Sequence, residues 1–180
     1  MILAVDPGTS ESAYVITGKK LKPLEFGKVD NYELLKLIEC IGGRPYMVNH
    51  FAIEMIAHYG SGMPAGREVF DTCVWIGRFY QAACGRVPRL VFVYRKDVKM
   101  NLCQSMKAKD SNIIQALIDR FAYGVPNRGK GSKKNPGWFY GFKKDIWQAY
   151  ALAVTYYDLY CKEKKNGKNN RPKGRSAQQQ

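Results

Sequence analysis

The sequence has few residues of the kinds that bind zinc or build disulfide frameworks. It contains two histidines, and none of its five cysteines belongs to a Cys-x-x-Cys pair. Structural zinc sites draw on closely spaced Cys and His ligands, and disulfide frameworks use an even number of cysteines. The pattern therefore indicates neither feature and favours a reducing, intracellular compartment.

Long apolar runs are also missing. The opening residues 1–5 are too short for the core of a signal peptide and end at Asp6-Pro7-Gly8. The apolar stretch after Ile146 is interrupted by Gln148 and Asp158, which makes it a poor membrane span. We therefore expect a soluble protein without a membrane partner.

Acidic residues are scarce relative to basic ones. The 180 residues include 29 Lys and Arg against 15 Asp and Glu, which gives a formal charge of +14. Such an excess predicts a polyanionic partner. The length fits one domain with a tail, and a hydrophobic fraction of 46% is ample for a packed core.

The order of apolar patterns predicts a mixed sheet with helices on its faces. A buried strand and a hairpin turning at Gly18-Lys19-Lys20 predict an antiparallel start, and the later strands alternate with amphipathic helices. The predicted strands are 2–5, 13–17, 21–28, 47–53 and 90–93, and the predicted helices are 31–41, 67–84, 110–121 and 145–160. This order is that of an α/β, ribonuclease H-like fold with a five-stranded mixed sheet flanked by helices.

Three segments lie outside these elements. Residues 95–102 form a short basic segment, and residues 124–144, rich in Gly, Pro and Lys, predict a mobile basic loop. The end of the chain is polar and basic, which predicts disorder. We therefore expect one domain over residues 1–161 and a tail over residues 162–180.

The helix over residues 67–84 carries two apolar faces. The broad one includes Phe70 and Val74, while Trp75 and Phe79 lie together on another side as an i, i+4 pair. The second face is either core or the seam of a homodimer, and the pattern itself does not separate these.

Three carboxylates stand at the ends of predicted elements. Asp6 follows the first strand, Glu54 follows the fourth, and Asp145 begins the last helix. If the first and fourth strands are parallel neighbours, Asp6 and Glu54 emerge at the same edge of the sheet. Mg²⁺ prefers oxygen ligands, and two such ions about 3.5–4 Å apart support phosphodiester cleavage. Taken singly, however, the three are more simply a turn residue, a strand end and a helix cap.

Four segments in register resemble the successive motifs of the RuvC family of Holliday junction resolvases. They are residues 2–9 (ILAVDPGT), 52–54 (AIE), 97–99 (DVK) and 145–153 (DIWQAYALA). The match in order and spacing covers about residues 1–157, and the loop 131–137 together with Trp147 is most similar to the phage and prophage branch. Each motif alone is weak, but four in order are considerably more specific.

The resemblance implies a homodimer that nicks four-way or other branched DNA junctions with Mg²⁺ or Mn²⁺, two ions per site. It also implies the cytoplasm of a bacterium or of an infected host cell. It makes Asp6, Glu54 and Asp145 metal ligands, and it makes Lys99 a catalytic, DNA-contacting lysine near the scissile phosphate. The family's dimer helix falls on residues 67–84, with Trp75 and Phe79 at the interface. Further expected DNA contacts are Lys107, Lys109, the wedge-like Tyr59, and the loop residues Arg128, Lys130, Lys133, Lys134, Lys143 and Lys144.

One position departs from the family pattern. The family has a fourth acidic ligand one helical turn after the first acid of the last motif, and Gln148 stands there. Its amide oxygen is a neutral, weaker ligand on the same helix face as Asp145. The site therefore uses three carboxylates with or without Gln148, or recruits another acid, for which Asp71 and Asp110 are the candidates.

Gln148 and the basic tail keep two alternatives open. One is a non-catalytic protein that binds branched nucleic acid, and the other is a nuclease of the same fold that acts on RNA. The segment Asp6-Pro7-Gly8-Thr9-Ser10 also resembles the phosphate loop of actin-like ATPases. Those proteins need two such domains, and a chain of this length has room for one.

Overall fold

The computed structural model describes residues 1–43, 47–57 and 66–162. The tail beyond Lys162 lies outside the described residues. In chain order the elements are β1 (Ile2–Asp6), β2 (Glu11–Thr17), β3 (Pro23–Asp30), α1 (Asn31–Glu39), β4 (His50–Met55), α2 (Arg67–Ala83), β5 (Arg89–Tyr94), α3 (Arg95–Cys103), α4 (Asp110–Phe121) and α5 (Ile146–Tyr156), which continues into a π-helical turn (Tyr157–Cys161).

The five strands form one mixed sheet in the order β3-β2-β1-β4-β5. The first three strands pair antiparallel, and β4 pairs parallel with both β1 and β5. The apolar run of β1 lies in the centre of the sheet, as strands buried on both faces do. The predicted ribonuclease H-like, five-stranded mixed sheet is confirmed.

Helices cover both faces of the sheet. Alternate residues of β1 point to opposite sides, so Ile2 and Ala4 pack with α3, α4 and α5, while Leu3 and Val5 pack with α1 and α2. Every residue of α5 except Gln148 is buried, which explains why this helix is apolar all round. In the described residues, no helix combines the length and apolar character that crossing a bilayer requires.

The two apolar faces of α2 divide differently from the prediction. Phe79 is fully buried in the protein's own core, and the partly buried Trp75 packs against Tyr32 and Phe79. The outward side instead carries Phe70 and Val74, which are 61% and 62% exposed. α1 covers much of the side of α2 that carries Trp75 and Phe79, and their assignment to a dimer interface stays a prediction.

The basic loop over residues 124–144 is anchored by aromatic side chains, in contrast to the mobile loop that its composition predicts. Phe139 and Phe142 are fully buried, and their rings contact those of Trp147 and Tyr150 in α5. An isolated antiparallel bridge between Gly131 and Pro136 joins two points of the loop between α4 and these phenylalanines. Composition underestimated the order of this loop, because two aromatic side chains, Phe139 and Phe142, anchor it in the core.

The predicted short basic segment after β5 is a full helix, α3. The carboxylate of Asp97 accepts a hydrogen bond from the Tyr94 amide at 3.1 Å, which satisfies one of the free donors at the helix start. Val98 is fully buried beneath it. The Asp97 cap and the buried Val98 therefore stabilise a helix in a segment for which the polar composition predicted none.

We expect Phe142→Ala to lower the free energy of unfolding by about 3–5 kcal/mol, the usual cost of removing a buried phenyl ring. Phe142 contacts the rings of Phe26, Phe139, Trp147 and Tyr150 at centroid distances of 4.8 to 5.4 Å. Urea unfolding followed by circular dichroism measures the change. Tyr123→Ala, at a side chain 83% exposed, is the control and should change stability by less than about 0.5 kcal/mol. Equal effects of the two variants would contradict the anchoring role.

Candidate active site

Two partly buried carboxylates lie side by side where β1 and β4 end. The parallel register pairs Val5 with Ile53, so the next residue of each strand, Asp6 and Glu54, projects at the same edge of the sheet. The two carboxyls share a hydrogen bond, and the Glu54 side chain is 16% exposed. The structure thus brings together the first two acids that the sequence singled out.

Burial raises both pKa values. Burial is the largest cause for Asp6, the neighbouring charges of Glu54 and Asp145 add to it, and the pKa of Asp6 rises to about 8. Burial also raises the pKa of Glu54, while the Arg95 guanidinium opposes that shift. Without a bound cation the pair therefore retains a proton near neutral pH.

The loop that follows Asp6 is fixed by a buried hydrogen-bond network. Nδ2 of Asn31 donates to the Gly8 carbonyl at 3.0 Å, and Oδ1 of Asn31 accepts from the Ser12 hydroxyl at 2.5 Å. The Gly8 amide donates to Oγ of Ser12 at 3.1 Å. A Cβ at Gly8 would lie 2.3 Å from the Glu11 carbonyl oxygen, so only glycine fits this approach. The network holds the backbone after Asp6 in one conformation.

Asp145, the third acid, pairs with Lys28. It stands immediately before α5, but its side chain makes no capping hydrogen bond to the helix. Its Oδ2 lies 2.8 Å from Nζ of Lys28, which also lies 3.6 Å from Glu11. Both side chains of the Asp145 pair are about two-fifths exposed. The carboxylate is therefore available to the cleft, held by a lysine that solvent can reach.

Gln148 faces the same cluster but is bonded to an arginine. Nη1 of Arg95 donates to Oε1 of Gln148 at 2.6 Å and lies 4.0 Å from Oε2 of Glu54. Nη2 of Arg95 pairs with Oδ1 of Asp110. The acid substitute Asp110 thus reaches the site only through Arg95, and Asp71 pairs with Arg67 on the surface at 3.5 Å.

Two adjoining clefts open at this edge and share Asp6 and Pro7. One, of about 270 Å³, is lined by Glu54, Thr72 and Arg95, and the other, of about 330 Å³, by Lys28 and Asp145. Within residues 1–43, 47–57 and 66–162, no three His, Cys, Asp or Glu side chains converge closely enough to enclose a metal ion. Asp145 pairs with Lys28. The predicted ligand set is thus assembled as a pair, Asp6 and Glu54, with Asp145 across the second cleft.

The donor chemistry nevertheless fits a hard divalent ion. The three acids offer carboxylate oxygens, which Mg²⁺ and Mn²⁺ prefer, and a cation would relieve the repulsion between the charges of Asp6, Glu54 and Asp145. Asp6, Glu54 and Asp145 are therefore the residues that would hold such an ion. The amide oxygen of Gln148 is already taken by Arg95.

The predicted DNA-contacting residues lie outside this cluster. Lys99 is in α3, and its Nζ is 3.5 Å from the Met106 carbonyl. Lys107 and Lys109 are exposed between α3 and α4. Of the loop residues, Lys130 is half-buried and the others are exposed; these are Arg128, Lys133, Lys134, Lys143 and Lys144. Tyr59 lies outside the described residues. The roles of all these residues stay predictions.

Sequence reasoning missed the two cations that contact the carboxylates, Arg95 and Lys28. Arg95 directly follows β5, which lies beside β4, so its position next to Glu54 follows once the strand order is known. Lys28 lies in β3, two strands from β1, and faces Asp145 at the end of a distant segment. A search for basic residues at strand ends would have found Arg95, whereas nothing in the local sequence marks Lys28.

The structure is similar to solved structures of RuvC from Thermus thermophilus. One, in complex with a Holliday junction substrate, gives a TM-score of 0.60 at 15% identity, covering 86% of this chain and 91% of that chain. The chain has the RuvC fold. Another structure of Thermus thermophilus RuvC gives 0.54 at 18% identity, covering 88% and 95% of the two chains. No family model and no curated protein sequence matches the chain.

We expect Asp6→Asn to flatten the pH dependence of stability of the metal-free protein. An acid whose pKa rises from 3.8 unfolded to about 8 folded stabilises the fold below the lower value and loses that contribution as pH rises towards the upper one. The wild type should therefore lose stability between about pH 5 and 8, and the variant should melt several degrees higher at pH 8, where about 1 kcal/mol corresponds to 2–4 °C.

Thermal unfolding in a chelator across this pH range measures the difference. Asp71→Asn removes the same charge from an exposed ion pair and should follow the wild-type curve. Parallel curves for Asp6→Asn and the wild type would show that Asp6 titrates normally.

Proposed function

We propose that the protein is a divalent-metal-dependent endonuclease that nicks four-way or other branched DNA junctions as a homodimer. The observation that carries the proposal is the partly buried Asp6–Glu54 pair with Asp145 across the cleft, at the edge where β1 and β4 end. Clustered carboxylates in a chain of charge +14 suit the cleavage of a polyanion. A similar fold is found in RuvC, which has been solved with a Holliday junction substrate.

The proposed cofactor is Mg²⁺ or Mn²⁺, for which the sequence predicts two ions per site. Bound there, the metal would lower the pKa of an attacking water and stabilise charge on the leaving oxygen of the phosphodiester. Asp6 and Glu54 would hold the ion as carboxylates, with their shared proton lost to solvent. Asp145 would hold it once Lys28 moves away, and the Lys28 ammonium would then be available to a phosphate at the cleft. The expected product is a nick with a 5′-phosphate.

The basic residues outside the cluster would bind the DNA backbone. Each lysine or arginine that neutralises a phosphate releases a counterion, so affinity should fall steeply with salt. Such contacts position the DNA without reading its bases, and choice of a junction would come from shape and from dimer geometry. Lys99, the α3–α4 lysines and the anchored loop are the proposed contacts, with Lys143 and Lys144 adjacent in sequence to Asp145.

The outward side of α2 is the proposed dimer interface. Phe70 and Val74 are apolar side chains that are more than half exposed there. Leu35, Gly77 and Gln81 line the groove between α1 and α2 beside them. Exposed apolar area of this kind is costly unless it is covered. A second copy of the chain, presenting the same surface about a two-fold axis, would cover it.

A non-catalytic junction-binding protein is the second candidate. It is favoured by the contacts of Arg95 with Gln148 and of Lys28 with Asp145, since both cations lie where ligand oxygens would face a metal. Such a protein would bind junctions with the same salt dependence and leave them intact.

We expect wild-type protein with Mg²⁺ or Mn²⁺ to place paired nicks in a labelled synthetic four-way junction and to leave a linear duplex of the same sequence uncut. Asp6→Asn should reduce nicking by at least about 100-fold. Removing a residue that only orients a metal ligand lowers activity by about 10–100-fold, and removing the ligand itself should lower it at least as much. It should leave junction binding unchanged in a gel-shift assay. Asp71→Asn is the charge-matched control with wild-type activity.

Junction binding without cleavage in any divalent metal would establish the binding protein instead. Cleavage of an RNA substrate in preference to the junction would move the proposal to an RNA nuclease of the same fold.

Val74→Glu should separate the proposed dimer, because it buries a charge in an apolar interface. The variant is expected at 20.5 kDa by light scattering, and the wild type at twice that mass. Val125→Glu makes the same change at a side chain 46% exposed in the basic loop and should remain dimeric. A wild type that is monomeric at all concentrations, or a dimer that Val74→Glu leaves intact, argues against this interface.

A further inference from the structure

The guanidinium of Arg95 fills the side of the carboxylate cluster that Gln148 faces. It donates to the Gln148 amide oxygen at 2.6 Å, lies 4.0 Å from a Glu54 oxygen and pairs with Asp110. These three partners come from α5, β4 and α4. Arg95 is itself the first residue of α3, whose start is fixed by the Asp97 cap. Its position is thus determined by four elements of the fold.

We propose that Arg95 is a built-in cation that limits the site to one divalent ion, held by Asp6, Glu54 and Asp145. The proposal rests on the nuclease function proposed above. It replaces the two ions that the sequence predicts with one ion and one guanidinium.

Competition for oxygen ligands is the first argument. An ion on the Gln148 side would need the Gln148 amide oxygen and the Glu54 oxygen that Arg95 approaches. Arginine stays charged at every pH at which proteins fold, so it cannot leave by losing a proton. Because Gln148 is neutral, it adds no charge that would draw a second divalent ion past the guanidinium.

The two cations of the site differ in how firmly they are held, which is the second argument. Arg95 has three partners and a side chain 27% exposed, whereas Lys28 is 40% exposed and is shared between Asp145 and Glu11. An ammonium on a flexible stem moves away more readily than a guanidinium hydrogen-bonded in a fork. The cleft of Asp6, Asp145 and Lys28 can therefore open to an ion, while the cleft of Glu54 and Arg95 keeps its own cation.

Counting bound Mn²⁺ per chain by electron paramagnetic resonance tests the proposal on the full-length protein without DNA. We expect one ion for the wild type. The double variant Arg95→Ala/Gln148→Asp should bind two, since the oxygens are freed and a carboxylate is added. Lys96→Ala/Gln148→Asp removes the neighbouring charge instead and should still bind one. Thermal melting confirms that each variant is folded.

A wild type that binds two ions overturns this inference and leaves the nuclease function standing if junctions are nicked. A folded Arg95→Ala/Gln148→Asp variant that still binds one ion also overturns it. A wild type that binds no ion and nicks no junction overturns the nuclease function, and the inference falls with it.

Discussion

The burial of two carboxylates side by side is the constraint to which the surrounding structure responds. Asp6 and Glu54 end adjacent parallel strands, and their mutual repulsion together with burial raises the pKa of Asp6 to about 8. Such an arrangement is unfavourable unless protons or cations compensate it. Asn31 fixes the loop after Asp6 by a hydrogen bond to Gly8, and the parallel register of β1 and β4 fixes Glu54. The two carboxylates therefore stay close together. The fold thereby maintains an unfavourable arrangement of charges that attracts positive charge.

Two cationic side chains of the protein itself lie near these acids. Arg95, fixed among α3, α4 and α5, lowers the cost of the Glu54 charge, and Lys28 pairs with Asp145 across the second cleft. A metal, a phosphate and these side chains would thus compete within one small region. The difference between a rigid guanidinium and a mobile ammonium makes the two clefts chemically unequal, although both open onto Asp6.

Local sequence predicted most of the secondary structure because apolar periodicity and caps are local signals. The hairpin of β2 and β3 turns at Gly18–Leu21, and Asp30 caps α1 through the Tyr32 amide. Local sequence did not predict the structure correctly where contacts between distant parts of the chain determine it. The polar α3 is stabilised by Val98 beneath it, the loop before α5 by Phe139 and Phe142, and the inward side of α2 by α1. Val98, Phe139 and Phe142 belong to the segments that they stabilise, but they do so by packing into a core that other elements build.

By itself the sequence determined the strand ends that carry Asp6 and Glu54, the acid before α5, the excess of positive charge, and the order of elements that produces this sheet. Only the tertiary structure decided what surrounds the acids. Asp145 faces Lys28, Gln148 is bonded to Arg95, and Phe70 and Val74, in place of Trp75 and Phe79, face outwards. The reason is physical: which residues end an element depends on its neighbours in the chain, whereas which charges meet depends on how the elements pack.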